Sequence, residues 1–566
     1  MPFIASCQGL FNYFSPLINC YNLLVERFFK NTKDFIFAKQ KSIFSSAVLL
    51  SFMIVLTSLS GFLRYRVLAG YFNKEELDIF FASFRIPDII FEILITGALT
   101  STFIPIYVRY KNSKKELSEN ISSIINLIFI LLTVFVVIVS LFLNKIIPAL
   151  TPGYDLVKME RIISLSRLLL LGQLPFFVLG NFLTGIGQAN KTFFLSALAP
   201  IVYNLAIILT TIFLYPTLFL LAPIWGVVIG AFFLFVIQIP LFFNSDFNYQ
   251  FILKRTKGLT EFIRMVIPRA STVIVAQIDA TIDLTLTTFL GSGAYTVFYL
   301  AQHLQLLPIS VIGIAFAQAS LPYITEMFQE KKVEEFKKII SDSLLNLFYL
   351  TIPIAFFFIF ARTPLVRLFF GGQKFDWEAT VSTAVTLSYF SISLPFHGCY
   401  YFLTRCFYSM HDSRTPFYVS IFSIFINTLL SLLSIFILHL PVWSLALSFS
   451  VSMIINSSLL FIIISSKLHG LGLKDIFVEI GKMFFSAFLS AFISYFSMKF
   501  LDGLIFDTTR TINVLFLLSI VALIHFILYL FLSWLFNLKE IYLLTSLVLK
   551  LKEYQKKFTE IYIQYE

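Results

Sequence analysis

Two acidic residues and an amide fall inside apolar stretches of this sequence, where polar groups are costly. Asp279 and Asp283 are four residues apart and therefore share one face of a helix. An acid within a membrane span indicates a functional site by default. We predict that Asp283, with Asn427 from a later stretch, binds a coupling cation, either sodium or a proton. The alternative is a structural ion pair of Asp283 with Arg264 or Arg269.

Basic residues also interrupt the apolar stretches. Arg64, Arg66 and Arg85 cluster in the first two stretches, and His303 lies in a later one. A charge in hydrocarbon usually faces a partner or a water-filled cavity. The alternatives are that the long arginine side chains reach the membrane surface, and that His303 makes an ordinary packing contact between helices. These residues are candidates for a polar site, and the elements that carry them must be membrane spans.

The composition requires the chain to use lipid as its solvent. Of 566 residues, 58% are hydrophobic and only 13% are charged, and the mean hydropathy is +0.88. A soluble domain has about a quarter of its residues charged. With ~20 residues per spanning helix plus a short loop, the length accommodates about 14 spans. This excludes a soluble enzyme, a nucleic-acid-binding protein and a receptor with a single anchor, so the net charge of +11 does not imply nucleic-acid binding.

The basic residues outside the apolar runs give the topology. They concentrate in alternate loops, which the positive-inside rule places in the cytoplasm. We predict an all-α polytopic membrane protein with both termini cytoplasmic. A faint internal repeat suggests two six-helix lobes, followed by two extra helices. The predicted parts are an interfacial or disordered N-terminal extension (1–42), the N-lobe (43–245), the C-lobe (246–466), the extra helices (467–538) and a cytoplasmic tail (539–566).

Patterns typical of catalysis or of metal binding are missing from the sequence. The four cysteines, Cys7, Cys20, Cys399 and Cys406, show no CxxC spacing. The six histidines are scattered, and no nucleotide-binding or hydrolase motif occurs. We therefore expect a transporter with no cofactor beyond the coupling cation and no structural metal. A polytopic acyl- or glycosyltransferase is disfavoured, because it would need clustered His, Asp and Glu at one membrane face.

Short motifs spread over residues 43–540 carry a resemblance to a known family. They include Gly61-Phe62-Leu63-Arg64, Asp78 through Pro87, Gly97-Ala98, Phe103-Ile104-Pro105, Thr151-Pro152-Gly153-Tyr154, Ala199-Pro200 with Asn204, Gln238-Ile239-Pro240, Gln277, and Phe407-Tyr408-Ser409 with Asp412, Thr415 and Pro416. In their order and spacing they resemble the MurJ/MviN lipid II flippases, part of the multidrug/oligosaccharidyl-lipid/polysaccharide exporter superfamily.

The resemblance implies a function without chemistry on the substrate. Family members move the undecaprenyl-pyrophosphate-linked peptidoglycan precursor from the inner to the outer leaflet of the bacterial cytoplasmic membrane by alternating access. Their cavity is cationic, which suits a pyrophosphate. The resemblance places Arg64 and Arg85 on basic family positions, and His303 and Arg269 complete our predicted set for the head group. The expected partners are lipid II or a related polyprenyl-pyrophosphate glycan, membrane lipids and the cell-wall synthesis machinery.

Other matched residues are expected to serve structure or conformational change, namely Asp78, Pro87, Gly97, Asp412 and Pro416. The two extra C-terminal helices border a groove for the lipid tail in the family, and the same role is implied here.

The sequence also departs from the family pattern. Ser58, Phe91 and His303 stand where the family usually has arginines. Substrate identity therefore stays open to two alternatives on the same fold, namely an exporter of another lipid-linked glycan and a drug/cation antiporter.

Overall fold

The fold is known from a computed structural model that describes the backbone of residues 43–93, 102–508 and 510–542. Within these ranges all regular secondary structure is helical, because a helix satisfies its own backbone hydrogen bonds in hydrocarbon. The predicted extension 1–42, Gly97 and the tail beyond residue 542 lie outside the described residues. In chain order the helices are α1 (Ile43–Tyr71), α2 (Lys74–Ser83), α3 (Arg85–Phe91), α4 (Ile104–Tyr110), α5 (Lys114–Leu150), α6 (Leu156–Gly172), α7 (Leu174–Ala189), α8 (Phe194–Leu218), α9 (Leu221–Val236), α10 (Ile239–Phe243), α11 (Lys257–Thr288), α12 (Ala294–Pro308), α13 (Ala315–Gln329), α14 (Val333–Phe360), α15 (Arg362–Phe370), α16 (Trp377–Ile392), α17 (Leu394–Ser409), α18 (Arg414–Leu432), α19 (Trp443–Lys467), α20 (Leu473–Leu504) and α21 (Thr511–Leu535).

Eleven helical segments of the described chain are long and apolar enough to cross a membrane. The apolar runs also predict spans over 77–107, 262–290 and 378–408, and the described residues of these runs are largely helical. The run 77–107 is broken at Phe84 and the run 378–408 at Ser393. A proline follows each break, Pro87 and Pro395, and removes a backbone donor. The predicted span 262–290 is the polar helix α11. The prediction of an all-α polytopic membrane protein is confirmed, and these helices are compatible with 14 spans.

The chain divides into two compact units. Unit 1 comprises Met1–Arg64, Ile86–Phe142 and Leu165–Val273, and unit 2 comprises Tyr65–Arg85, Leu143–Ser164 and Ile274–Glu566. This division differs from the predicted lobe boundary between residues 245 and 246, because short pieces of the first four spans cluster with the C-terminal half. The lobe bounds stay a prediction.

In unit 1, polar side chains of α5 hold the extended segment that leads into α11. Asn126 Nδ2 donates to the carbonyl oxygens of Gln250 and Ile252 at 3.1 and 2.8 Å. The backbone N–H of Gly258 donates to Asn120 Oδ1 at 2.8 Å. Because this segment is not helical, its backbone groups need such external partners. They fix the path of the chain between α10 and α11.

In unit 2, the C-terminal helix α21 packs on α14 where Pro353 interrupts the backbone hydrogen bonds. Proline has no N–H to donate to the carbonyl four residues earlier, that of Tyr349. The Tyr529 hydroxyl donates to this oxygen at 3.0 Å instead. His525 Nε2 lies 3.0 Å from the carbonyl oxygen of Pro353 and donates to it, and Nδ1 lies 3.2 Å from the Ser490 hydroxyl. The helix pair α20–α21 is thus joined to α14 by buried polar contacts.

The turn between α5 and α6 in unit 2 rests against the end of α11 at a position where only glycine fits. The Gly153 N–H donates to Thr288 Oγ1 at 3.1 Å. A Cβ atom on Gly153 would overlap the Thr288 carbonyl group.

We expect Gly153→Ala to destabilise the protein by about 1–3 kcal/mol, because the added methyl group forces two backbone segments apart. Gly503→Ala is the control, since a Cβ at Gly503 meets nothing within 4 Å. Thermal unfolding of the purified variants in detergent measures the effect. Equal midpoints for the two variants would contradict this account of the turn.

Candidate substrate and cation site

Asp78 on α2 joins three segments of unit 2. It is fully buried, and its Oδ1 accepts the N–H of Thr296 at 2.7 Å and the hydroxyl of that residue at 2.8 Å. Its Oδ2 accepts the Gly293 N–H at 2.5 Å and the Tyr154 hydroxyl at 3.1 Å. Gly293 is the N-cap residue of α12 and Thr296 lies in its first turn, where a negative charge is favoured by the helix dipole. Asp78 therefore acts as an N-terminal cap supplied by a distant helix.

Arg85 at the start of α3 is buried against α11. Its Nε donates to Thr281 Oγ1 at 3.0 Å, and its Nη2 donates to the carbonyl and side-chain oxygens of Gln277 at 2.6 and 2.8 Å. All of these acceptors are neutral, and Nη1 makes none of these hydrogen bonds. Among the described side chains no carboxylate lies within ion-pair distance of Arg85. Arg85 is thus a buried positive charge in unit 2 whose direct hydrogen-bond acceptors are neutral oxygens.

The predicted acid pair also belongs to α11. Asn427 on α18 donates through Nδ2 to Asp279 Oδ1 at 3.2 Å and, more weakly, to Asp283 Oδ1 at 3.5 Å. Asp283 and Asn427 are buried, and Asn427 Oδ1 has no hydrogen-bond partner. The buried hydroxyl of Ser431, one turn along α18, also has none. Two carboxylates thus contact the amide of Asn427, and oxygen ligands of these types are the ones that hard cations prefer.

The alternative to a cation site is an ion pair of Asp283 with Arg264 or Arg269. The Arg264 side chain is exposed and forms no ion pair with a described side chain. The side chain of Arg269 lies outside the described residues, so its predicted role in head-group binding stays a prediction. Among the described side chains, none brings a cation within ion-pair distance of Asp279 or Asp283.

The other predicted basic residues have different surroundings. His303 on α12 donates from Nδ1 to the Tyr299 carbonyl at 2.9 Å, and its ring lies 4.0 Å from the Tyr299 ring and 5.6 Å from the Tyr65 ring, centroid to centroid. Arg64 is half-buried in unit 1. Arg66 donates to carbonyl oxygens at the end of α15, at 3.1 Å for Arg367, so it caps a helix.

Asp412 and Pro416 lie at the turn into α18. Asp412 Oδ1 accepts the N–H groups of Arg414 and Thr415 at 3.1 and 3.0 Å, and Oδ2 accepts the Thr415 hydroxyl and pairs with Lys467. Partial burial disfavours the charged carboxylate, but the hydrogen bonds from Lys467 and Thr415 outweigh it and hold the pKa of Asp412 well below its usual range. The interactions of Asp412 are those of a helix cap.

Sequence reasoning missed the partners of these residues. Thr281 and Gln277, which hold Arg85, carried no signal for that pairing, although Gln277 belongs to a family motif. Ser431 could have been found, since it lies four residues after Asn427 and so shares its helix face.

The described helices, with Arg85 and Asp283 buried among them, are those of a polytopic membrane protein. The family model described as "Lipid II flippase MurJ" matches residues 69–511, and the chain belongs to this family. A "Probable lipid II flippase MurJ" from Buchnera aphidicola subsp. Baizongia pistaciae is 27% identical over 431 residues, which cover 74% of this chain and 83% of the relative.

Solved structures agree on the fold. A "Lipid II flippase MurJ, inward closed conformation" aligns with a TM-score of 0.71 at 24% identity, covering 86% of this chain and 98% of that one. An inward-facing "multidrug resistance MATE family transporter of the MOP superfamily" aligns with a TM-score of 0.64 at 15% identity, covering 75% and 98%. At these identities the likeness concerns the fold alone.

We expect Asp78→Asn to destabilise the protein by about 2–3 kcal/mol, because an amide replaces a charged acceptor and sets an NH₂ group against backbone donors. Asp155→Asn, an exposed change in the turn after Tyr154, is the matched control. The measurement is the detergent unfolding midpoint together with the ability of each variant to support growth as the sole flippase. A normal midpoint for Asp78→Asn would contradict the capping role.

Proposed function

We propose that this protein moves lipid II from the inner to the outer leaflet of the bacterial cytoplasmic membrane. Membership of the MurJ family supports the substrate, and the buried charge of Arg85 is the observation in unit 2 that supports an anionic head group. No bond of the substrate is made or broken, so the protein acts as a transporter and not as an enzyme.

The physical problem in this transport is the polar head group. Carrying a pyrophosphate, sugars and a peptide through hydrocarbon would leave their polar groups without hydrogen bonds. A guanidinium offers phosphate oxygens charge-assisted hydrogen bonds, and Arg85 retains Nη1 for this purpose. An inside-negative membrane potential favours outward movement of an anion by ~2.3 kcal/mol per charge per 100 mV. Alternating access then moves the head group while the lipid tail stays in the bilayer.

A coupling cation fits the acid pair. Asp279, Asp283 and Asn427 would hold it through their oxygens, with Ser431 as a further ligand. When bound, a cation such as sodium supplies positive charge between two carboxylates that otherwise repel each other. The amide oxygen of Asn427, buried without a partner, supports a ligand at this place. A proton bound to one carboxylate is the second version of the same proposal.

The remaining expectations follow from family membership and the positive-inside rule. They are an inner-membrane location, cytoplasmic termini, a lipid-tail groove at α20–α21, and association with the cell-wall synthesis machinery. The alternatives are another lipid-linked glycan and a drug or cation on the same fold, and a substrate assay distinguishes them.

We expect Arg85→Ala to reduce lipid II flipping by about tenfold or more, because a charged contact to phosphate is lost. Arg264→Ala is the control, since Arg264 is exposed on the same helix that carries the partners of Arg85. Cells depleted of their own flippase are supplied with each variant, and an enzyme that cleaves head groups from outside reports the exposed fraction of lipid II. A normal exposed fraction of lipid II with Arg85→Ala would contradict the role of this residue in binding the head group. If depletion of the wild-type protein leaves the exposed fraction unchanged, another cargo is favoured.

We expect Asp283→Asn to abolish stabilisation of the purified protein by sodium, because one carboxylate ligand is lost. Asp342→Asn, an exposed acid on α14, is the control. Unfolding midpoints at equal ionic strength in sodium and in choline chloride measure the effect. Retained sodium stabilisation in Asp283→Asn would refute the site, whereas a wild type that responds to pH and not to sodium would identify the proton version.

A further inference from the structure

A polar cavity lies in unit 2, apart from Arg85 and the acid pair. Its volume is about 530 Å³, within the range of small-ligand sites. The end of α14, helix α15, the start of α16, the end of α20 and the start of α21 form its wall. The residues of α11, α12 and α18 that carry the site described above do not line it.

The cavity carries excess positive charge. Arg362, Arg367 and Lys499 line it, and Asp502 is the one acid among the lining residues. Among the described side chains, no carboxylate lies within ion-pair distance of any of the three cations. Arg362 Nη1 donates only to a neutral group, the Ser388 hydroxyl, at 3.3 Å. The cations are therefore available to an anion from outside the chain.

The rest of the lining has the character of a membrane interface. Trp377 is 62% exposed, and the Arg367 guanidinium lies 5.9 Å from its ring centroid. Lys499 Nζ lies 5.9 Å from the ring centroid of Tyr495, which is 40% exposed. Trp and Tyr are enriched where hydrocarbon meets water. Cationic and aromatic side chains thus lie side by side in this wall, which suits a lipid head group.

Apolar surface continues from the cavity along the two C-terminal helices. Met498 and Leu517 line the cavity, and the neighbouring Phe496, Phe500 and Phe516 are exposed. A free phosphate ion would use the cations alone, whereas a lipid would use both the cations and this apolar surface.

We propose that this cavity binds the head group of an anionic phospholipid, with the phosphate held by Arg362, Arg367 and Lys499 and the acyl chains lying along α20 and α21. Arginine forms strong hydrogen bonds with phosphate oxygens, and basic pockets between spanning helices bind such head groups. In the predicted orientation of the chain this lipid belongs to the outer leaflet. The proposal concerns a second site and does not depend on which substrate is transported.

The test compares two double variants that each lose two positive charges. Arg362→Gln combined with Lys499→Gln removes two cations from the cavity, and Lys374→Gln combined with Arg510→Gln removes two exposed cations outside it. The full-length protein is placed in phosphatidylcholine nanodiscs with increasing phosphatidylglycerol, and native mass spectrometry counts the retained phosphatidylglycerol. We expect the cavity variant to bind it about tenfold more weakly and the control variant to match the wild type.

Two outcomes of this experiment overturn the proposal. The first is equal retention by the cavity variant and the control. The second is displacement of the lipid by millimolar inorganic phosphate, which would identify a site for free anions. The unfolding midpoint of each variant shows whether it is folded.

A second measurement needs no change to the cations. Phosphatidylglycerol brominated on its acyl chains quenches nearby tryptophan fluorescence, and the Trp377→Phe variant isolates the contribution of Trp377. We expect brominated phosphatidylglycerol to quench Trp377 more strongly than brominated phosphatidylcholine does. Equal quenching by the two lipids would refute the site independently of any cavity variant.

Discussion

Hydrocarbon offers no hydrogen bonds, so each polar group inside this protein must find its partner within the chain or in a ligand. Asp78 satisfies the constraint with donors from the first turn of α12 and from Tyr154. Arg85 satisfies it only in part, because neutral oxygens of Gln277 and Thr281 solvate the guanidinium without cancelling its charge. The two residues therefore differ: the carboxylate of Asp78 joins segments of unit 2, whereas the guanidinium of Arg85 has only neutral oxygens as direct partners.

Two of the positions where the resemblance leads us to expect an arginine make aromatic contacts instead. Phe91 packs against Phe177 with ring centroids 5.2 Å apart, so this position is part of an apolar contact. His303, at another such position, packs its ring against that of Tyr299 at a tilt of 33° and donates to the Tyr299 carbonyl. Neither position carries a fixed positive charge. In the proposal that the protein moves an anionic head group, Arg85 is therefore the cation to test first.

Composition and the lengths of the hydrophobic runs were enough to predict an all-α polytopic protein, because few backbone structures can satisfy their hydrogen bonds in lipid. The helix breaks at Phe84 and Ser393 were not predicted, although Pro87 and Pro395 gave a signal for them. The contact of Asn427 with the acid pair had been anticipated from the residue types, whereas its role as a cation ligand stays a prediction. The Asp78–Gly293 pairing could not be predicted, because local sequence carries no information about a partner 215 residues away.

The hydrogen bonds that α21 makes to α14 near Pro353 show how the C-terminal helices stabilise unit 2. Between helices in a bilayer the hydrophobic effect gives little preference for one register over another, since lipid chains are as apolar as leucine. Tyr529 and His525 instead reach two particular carbonyl groups on α14. A chain shortened before α21 would leave the Tyr349 carbonyl exposed to acyl chains. Such a truncation would therefore destabilise α14 itself. Helix α21 supplies the hydrogen-bond donors that α14 lacks at Pro353.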